Sequence, residues 1–450
     1  MMWYDYIGWI AGCALIFFSI AFVMTSVLEK EARAVFMGLI VLVPLCFVWF
    51  LLLTQLYVYR AEILGLGIVG IVLFGLILFV PFGKKGSLQI VRPLERLDER
   101  DIIFARMRYQ ENSEAYNDYY RRHPELKTTD DKVRRMPTLY EPGSENYHVI
   151  NSPVPQACFD FLEDIRGTTE APPHAENRDI DPERMSLRLK GLAKYYGGRD
   201  AGIAVLNEGH TYTHVGRGQG KYGDVVKLDH KFALVFTVEM DRFMVRQAPS
   251  LTVYVESANQ YVKAATIAIS IAYYIRSLGF SARAHIDGNY RIIVPPVAVD
   301  AGLGEIGRIG LLMTPNLGPR VRLGAVTTDM PLVPDKPISF GALDFCEACT
   351  KCAENCPSGA IPQGDKKIVR GVEKWFVNQE ACYTYWRKSG TDCGVCMNVC
   401  PYSKPNTFVH NSVRYAAQHS VVARRGAKWA DDFFYGRFPK SNKKPEWLIS

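Results

Sequence analysis

The chain has 450 residues, of which 48% are hydrophobic and 22% are charged, and its formal net charge is +7. This composition excludes an intrinsically disordered chain and a small disulfide-rich scaffold, and the length allows two or three domains. The averages hide an uneven distribution. The longest apolar runs lie before residue 85, and eight of the 11 cysteines lie between residues 346 and 400.

Three uncharged runs open the chain, at residues 6–28, 34–59 and 63–83. Each is long enough to match the roughly 20 helical residues that cross the hydrocarbon core of a bilayer. A cleaved signal peptide is not indicated, because no Lys or Arg precedes the first run. The sequence therefore predicts a three-span transmembrane anchor over residues 1–85.

Positive charges flank these runs unevenly. The first loop carries Lys30 and Arg33, whereas the second loop offers Arg60. The exit from the third run is basic again, with Lys84, Lys85, Arg92, Arg96 and Arg100. Because Lys and Arg are enriched in cytoplasmic loops, the sequence predicts a multi-pass protein of the cytoplasmic membrane. Its partners then include the lipid bilayer, and its C-terminal body faces the cytoplasm.

Two cysteine runs follow the spacing of bacterial ferredoxins. Residues 346–357 read C-x2-C-x2-C-x3-C-P, and residues 393–401 end in the same C-x2-C-x3-C-P pattern. In two-cluster ferredoxins the fourth cysteine of each run ligates the other [4Fe–4S] cluster. One cluster is therefore predicted on Cys346, Cys349, Cys352 and Cys400, and the other on Cys356, Cys382, Cys393 and Cys396. The alternatives are structural zinc, which does not need the Cys-Pro terminus, and disulfides, which a cytoplasmic body disfavours.

The region between the apolar runs and the cysteines has an α/β pattern. Residues 86–184 are polar and are predicted to pack on the core as a connecting region. Residues 202–209 and 231–240 predict short strands, and residues 256–280 predict a long helix. Residues 282–299 predict a turn and a strand.

Two glycine-rich stretches match the pattern G-x-G-x-x-G. They comprise Gly218, Gly220 and Gly223, and then Gly302, Gly304 and Gly307. A dinucleotide site needs this pattern between a strand and a helix. The first stretch leads into another predicted strand, and the second meets Pro315 within a few residues. Nicotinamide binding is therefore not indicated at either stretch.

Three segments carry a resemblance to a known family. They read VDAGLGEIGRIGLLMTPNLGPRVRL at residues 299–323, MPLVPDKPISFG at 330–341 and CYTYWRKSGTDCGVCMNVCPYSK at 382–404. This stretch of the chain, from about residue 250 to residue 410, resembles the reductive dehalogenase family. Catalytic subunits of that family hold a base-off corrinoid (cobalamin) in a nitroreductase-like α/β domain. A ferredoxin-like module with two [4Fe–4S] clusters supplies electrons, and a carbon–halogen bond is replaced by carbon–hydrogen.

The resemblance implies a domain order and a set of site residues. A corrinoid- and substrate-binding α/β domain is expected at residues 185–340, a ferredoxin-like domain at 341–410 and a C-terminal tail at 411–450. The family's proton-donating tyrosine falls at Tyr261, and the arginine that accompanies it falls at Arg322. A third pocket position falls in the turn AHIDGNY, where the candidates are His285, Asp287 and Asn289. The backbone at Gly302, Gly304 and Gly307 is expected close to the corrinoid or substrate.

The chain also departs from the respiratory members of the family, which use a twin-arginine signal and a separate membrane anchor protein. Here an anchor precedes the catalytic region in the same chain. The expected partners are an organohalide substrate and an electron donor, which is a ferredoxin, a flavoprotein or a membrane reductase; no nucleic acid is expected. Two alternatives stay open: a corrinoid enzyme acting on tRNA, like epoxyqueuosine reductase, and a membrane-bound iron–sulfur electron-transfer subunit without catalysis of its own.

Overall fold

The computed structural model describes residues 3–54, 60–79, 94–174, 176–439, 441 and 445–448. The chain divides into two compact units. The first unit comprises Met1–Gly86, Phe340–Cys349 and Lys404–Lys440, and the second comprises Ser87–Ser339, Thr350–Ser403 and Ser441–Ser450. Each unit is therefore assembled from segments that are distant in sequence, whereas the sequence suggested domains that follow one another along the chain.

The α-helices share the chain with short 3₁₀ turns, and in chain order they are α1 (Trp3–Leu28), α2 (Ala32–Thr54), α3 (Arg60–Phe79), α4 (Ile103–Arg106), α5 (Glu114–Arg122), α6 (Pro124–Arg134), α7 (Pro153–Asp164), α8 (Pro182–Tyr195), α9 (Arg242–Val245), α10 (Leu251–Ser277), α11 (Val294–Asp300), α12 (Ala342–Cys349), α13 (Lys351–Glu354), α14 (Gln379–Ser389), α15 (Val395–Val399), α16 (Phe408–His419) and α17 (Val421–Tyr435). The strands are β1 (Ala201–Val205), β2 (Phe232–Glu239), β3 (Ala282–His285), β4 (Glu305–Ile306), β5 (Leu312–Met313), β6 (Val321–Thr328), β7 (Lys367–Val369) and β8 (Val372–Lys374).

The first unit is helical. Helix α1 packs against α2 and α3, and α17 packs against α2, α3 and α12. Two segments are long and apolar enough to cross a membrane, Trp9–Leu28 in α1 and Ala32–Leu52 in α2, and few of their side chains are buried. Helix α3 covers most of the third predicted run, whose last residues, 80–83, lie outside the described residues. Two spans are therefore supported and the predicted third is not confirmed.

The second unit is built around one antiparallel sheet with the strand order β1-β2-β6-β3. Strand β2 is buried on both faces, and Leu234 and Val235, which point to opposite faces, are both 0% exposed. A strand with apolar residues in succession is expected where helices cover both faces of a sheet. The predicted strands at 202–209 and 231–240 are confirmed by β1 and β2.

Helix α10 covers one face of this sheet. It begins after Ser250, runs for 27 residues and ends before Gly279, whose φ is +93°. Its buried face includes Ile267, Ile271 and Ile275, which join the core formed with β2 and β6. The long helix predicted over residues 256–280 is confirmed, although it begins five residues earlier.

The other face of the sheet is covered by α11, and here the sequence prediction was wrong. Residues 294–300 form a helix, whereas a strand was predicted after the turn. The physical reason lies in Pro295 and Pro296, which occupy the first helical turn. Proline lacks a backbone N–H, which a helix start does not use and a central strand requires. The strand of this segment, β3, precedes the turn.

Candidate functional site

Four cysteines of the second unit lie close together. Burial, with a smaller contribution from the nearby Cys356, raises the pKa of Cys382 to about 11 and that of Cys393 to about 12. Burial also raises the pKa of Cys396 well above its ordinary value, with added repulsion from Cys393, Cys382, Cys352 and Cys356. Cys356, Cys382, Cys393 and Cys396 are the set predicted for the second cluster, and this ligand set stays a prediction, since Cys352 of the first predicted set also acts on Cys396. Cys382 reaches it from α14, which accounts for its separation from the second cysteine run.

Cys356 differs electrostatically from its neighbours. Burial raises its pKa, but hydrogen bonds from the Ser358 hydroxyl and from the backbone N–H groups of Ile361, Ser358 and Ala360 outweigh burial. The net effect holds the pKa of Cys356 below its ordinary value. Donors of this kind stabilise a thiolate, which is the form that binds iron.

The cysteines of the first predicted set are distributed over both units. Cys346 and Cys349 lie on α12 in the first unit, where the carbonyl of Cys349 accepts a hydrogen bond of 2.7 Å from Arg437. Cys352 and Cys400 belong to the second unit. The ligand set of this cluster stays a prediction. Among the described residues, no three His, Cys, Asp or Glu side chains form a site for one metal ion. A [4Fe–4S] cluster does not require one, because each of its cysteines binds a different iron.

Tyr261 and Arg322, distant in sequence, meet in the second unit. Tyr261 projects from α10, and Arg322 lies on β6, the strand on which α10 packs. The guanidinium carbon of Arg322 is 4.9 Å from the centre of the Tyr261 ring. This is the geometry of a cation–π contact. The two residues that the family resemblance singled out therefore lie in direct contact.

Two residues that sequence reasoning missed hold Arg322 from the other side. Its terminal nitrogen lies 3.0 Å from the carboxylate of Asp392 and 2.5 Å from the hydroxyl of Ser257. The Ser257 hydroxyl also donates to the Asp392 carboxylate. Asp392 directly precedes Cys393, a predicted cluster ligand. This adjacency is the feature of the sequence that could have indicated a role for Asp392.

Burial and neighbouring charges shift the pKa of Tyr261 in opposite directions. Arg322 lowers the pKa of the Tyr261 phenol, whereas burial and the charges of Asp287 and Asp392 raise it. The net pKa lies above the ordinary value of 10. The phenol therefore holds its proton at neutral pH, and Arg322 offsets part of the cost of losing it.

The three candidate residues at the end of β3 and in the turn after it have different surroundings. His285 is 1% exposed, and both ring nitrogens are used: Nδ1 accepts from the backbone N–H of Arg291 (3.2 Å) and Nε2 donates to the Thr327 hydroxyl (2.9 Å). Asn289 is 0% exposed and contacts Arg283, Thr169 and Gln219. The geometry therefore favours structural roles for both.

Asp287 is the candidate of this turn whose charge acts on Tyr261. It is half-buried, and its charge raises the pKa values of Tyr261 and Tyr290. The same charge acts on Arg322 and Arg217. A carboxylate, two phenols and two guanidinium groups thus act on one another in a single region.

Arg217 is a second cation of this region that the sequence did not indicate. Its Nε lies 3.2 Å from the carboxylate of Glu99, which is 0% exposed. The same carboxylate accepts hydrogen bonds from the backbone N–H groups of Gly216 and Arg217, at 2.9 and 3.2 Å. Glu99 comes from the segment that was predicted as a polar connecting region. No local pattern links it to residue 217.

The glycines predicted to approach the cofactor approach the chain's own backbone. A Cβ at Gly302 would lie 2.6 Å from the carbonyl oxygen of Lys336, and one at Gly304 would lie 2.0 Å from that of Met313. The backbone N–H of Gly307 donates to the Leu311 carbonyl at 3.1 Å. Tight backbone packing therefore requires glycine at residues 302 and 304, and the approach of these glycines to a cofactor stays a prediction.

Comparison with known proteins identifies sequences and structures that are similar to this chain. Residues 345–404 match the 4Fe-4S dicluster domain, a range that contains all the predicted cluster ligands. The chain is 33% identical over 300 residues to a tetrachloroethene reductive dehalogenase of Desulfitobacterium hafniense, which covers 56% of this chain and 54% of that protein. It is 38% identical over 189 residues to the tetrachloroethene reductive dehalogenase of Sulfurospirillum multivorans, covering 40% and 37%. Over about half of its length the chain is thus similar to tetrachloroethene reductive dehalogenases.

Solved structures of reductive dehalogenases share the fold. The structure of the catabolic reductive dehalogenase NpRdhA with 3-bromo-4-hydroxybenzoic acid superimposes with a TM-score of 0.65 at 26% identity. The match covers 80% of this chain and 49% of that one. The chain thus spans about half the length of these two relatives. Epoxyqueuosine reductase of Bacillus cereus is a more distant relative, 38% identical over 124 residues that cover 26% of this chain and 30% of that protein.

Proposed function

We propose that the chain is a corrinoid-dependent reductive dehalogenase that replaces a carbon–halogen bond of an organohalide by carbon–hydrogen. The observation that carries the proposal is the contact of Arg322 with Tyr261, held by Asp392 next to a cysteine of the second cluster set. The reaction consumes the organohalide, two electrons and one proton, and it releases the hydrocarbon product and halide. The two [4Fe–4S] clusters deliver the electrons singly.

Tyr261 is the proton donor in this proposal. The phenol donates its proton to the carbon that loses the halogen, and the guanidinium of Arg322 stabilises the phenolate that forms. Asp287 is the third pocket residue, because it acts on Tyr261 while His285 and Asn289 are occupied by structural hydrogen bonds. Arg217 adds a second positive charge near the pocket.

A corrinoid fits the chemistry of this region. A bound corrinoid supplies the cobalt centre at which the carbon–halogen bond is cleaved. The Nε of Arg322 and the Oε1 of Gln260 are buried and have no hydrogen-bond partner within the described part of the chain. Gln260 directly precedes Tyr261, and a corrinoid has amide groups around its rim that pair with such atoms. Purified protein should contain about one cobalt and about eight iron atoms per chain.

The first unit supports membrane attachment. Helices α1 and α2 expose large apolar side chains along their length, including Phe17 (66%) and Phe47 (60%). The loop between them carries Lys30 and Arg33, which favours a cytoplasmic position for that loop. The proposal is therefore a multi-pass protein of the cytoplasmic membrane that receives electrons from a ferredoxin, a flavoprotein or a membrane reductase. Protease protection of inverted vesicles tests the orientation.

A halide-release screen with reduced viologen, over aryl, alkenyl and alkyl halides, tests the function. Halide release by protein that contains cobalt and iron supports it. Cobalt-free protein that transfers electrons without releasing halide would instead indicate an electron-transfer subunit. Turnover of epoxyqueuosine in tRNA, with no organohalide consumed, would favour the alternative derived from the epoxyqueuosine reductase similarity.

A further inference from the structure

Asp392 lies between the second cysteine run and the Tyr261 site. Its side chain is 5% exposed, and its Oδ2 accepts a hydrogen bond of 3.0 Å from Arg322. Ser257 donates to the same oxygen and accepts from the same nitrogen of Arg322. The three side chains therefore form a closed triangle, in which movement of one breaks contacts to both others.

The triangle fixes the position of one guanidinium group. Arg322 is 16% exposed, and among the described residues Asp392 is the carboxylate paired with it. A buried guanidinium needs a paired negative charge and directed hydrogen bonds to stay in one orientation. The orientation held here places the guanidinium 4.9 Å from the Tyr261 ring centre.

The backbone that carries Asp392 is itself held firmly. Thr391 donates its hydroxyl proton to the carbonyl of Pro249 (2.9 Å) and accepts from the backbone N–H of Cys393 (3.1 Å). Gly394 packs so closely on Val253 that a Cβ there would lie 2.5 Å from the valine side chain. Pro249 and Val253 flank the start of α10, the helix that carries Tyr261. These contacts therefore fix the position of residues 391–394 relative to the start of α10.

We propose that Asp392 is a positioning residue for proton donation: with Ser257, it holds the guanidinium of Arg322 against the ring of Tyr261. This inference rests on the proposed dehalogenase function. In this inference Asp392 does not contact the substrate. The loop that supplies Cys393, a predicted cluster ligand, also positions the proton donor through Arg322.

Asp392→Asn tests the inference, because it removes the charge and keeps the size. The expected result is a fall in kcat of about tenfold to a hundredfold with KM changed less than about threefold, as misplacement of a catalytic group produces. Iron content, cobalt content and the electron paramagnetic resonance spectra of the reduced clusters should match the wild type. Asp365→Asn, at an exposed position, is the matched control and should retain wild-type kcat.

A double-mutant comparison separates positioning from a general structural role. In an Arg322→Gln background, Asp392→Asn should lower kcat by less than about twofold, because its effect passes through Arg322. A full additional loss in that background would overturn the inference, as would loss of iron or cobalt in the single variant. A crystal structure of Asp392→Asn supplies a readout independent of turnover: the guanidinium should leave the Tyr261 ring, and an unmoved guanidinium contradicts the proposal.

Ser257→Ala keeps the test decisive if Asp392→Asn does not fold. It removes one corner of the triangle and should lower kcat by about twofold to tenfold, since the Asp392 contact remains. Unchanged kcat in this variant would count against the triangle. If wild-type protein releases no halide from any compound in the same assay, the proposed function fails. In that case the crystal structures still decide whether Asp392 positions Arg322.

Discussion

The two compact units arrange large apolar side chains in opposite ways. In the second unit, Leu234 and Ile271 are 0% exposed and form the core between sheet and helix. In the first unit, Leu28 is 82% exposed and Phe17 is 66% exposed, while Glu31 is 8% exposed. The second unit thus has the apolar interior of a domain in water, whereas the first exposes large apolar side chains on α1.

Two buried side chains of the first unit lie beside carboxylates. The Nε2 of His410 lies 3.0 Å from the carboxylate of Glu29, and the amine of Lys404 lies 3.5 Å from the carboxylate of Asp431. The same amine lies 3.1 Å from the centre of the Tyr435 ring. Charged groups are retained at such places when they have partners. Paired charges between elements occur in both units, as Arg217 with Glu99 shows for the second. The exposure of apolar side chains is therefore what distinguishes the two units.

The largest effect is expected at the proposed proton donor. Tyr261→Phe removes the acidic proton and should lower the rate of halide release by about 10²–10⁴-fold, the usual contribution of a general acid. Spectra of the iron–sulfur clusters and the corrinoid should remain those of the wild type. Tyr195→Phe, at a tyrosine that is 83% exposed, is the control. Full turnover by Tyr261→Phe would show that another group supplies the proton.

Truncation of apolar side chains tests the contrast between the units directly. Leu234→Ala leaves a cavity in the second unit and should lower the free energy of unfolding by about 2–5 kcal/mol. Leu28→Ala, at an exposed position of the first unit, should change it by less than about 0.5 kcal/mol. Urea unfolding in detergent measures both. Equal losses would mean that Leu28 packs against protein rather than lies at an open surface.

A smaller effect is expected at Asp287. Its negative charge disfavours an anionic substrate near Tyr261, so Asp287→Asn should raise kcat/KM for halophenolates about tenfold relative to uncharged halides. Steady-state kinetics on both substrate classes, with Asp365→Asn as control, measure the ratio. An unchanged ratio would place Asp287 outside the substrate pocket.

The smallest effect concerns acid stability of the second unit. Burial, with repulsion from Arg283, holds the pKa of His285 well below 6.5. The unfolded chain therefore binds a proton at this residue where the folded protein does not, and stability falls as the pH drops below about 6.5. The loss should approach 1.4 kcal/mol per pH unit from this residue, and His285→Gln should remove it. Urea midpoints between about pH 7.5 and pH 5.5 measure the slope. An equal slope in the variant would assign the acid sensitivity to other groups.

Local patterns in the sequence sufficed for the long elements. Apolar runs predicted β1, β2 and α10, and cysteine spacing indicated a two-cluster module, which the dicluster match to residues 345–404 supports. The prediction of a strand at the end of residues 282–299 was wrong, because the proline pair in the first turn of α11 favours a helix start. The third span was not confirmed, since its last residues lie outside the described part of the chain.

The site depended on contacts between distant residues, which no local pattern encodes. Tyr261 and Arg322 were found only through the family resemblance. Asp392 joins Arg322 across 70 positions, and Glu99 joins Arg217 across 118. The preference for Asp287 over His285 and Asn289 required the hydrogen bonds that occupy the other two.

The hydrogen bonds of Glu99 determine where the second unit can be joined to a different N-terminal anchor. Glu99 completes the loop at residues 216–217 from a segment that follows the apolar N-terminal helices in sequence. A chimera that joins a foreign anchor after residue 100 would leave three donors of that loop without their acceptor. One joined before residue 94 keeps them. Exchange of anchors between relatives should therefore succeed only when the junction lies on the membrane side of Glu99.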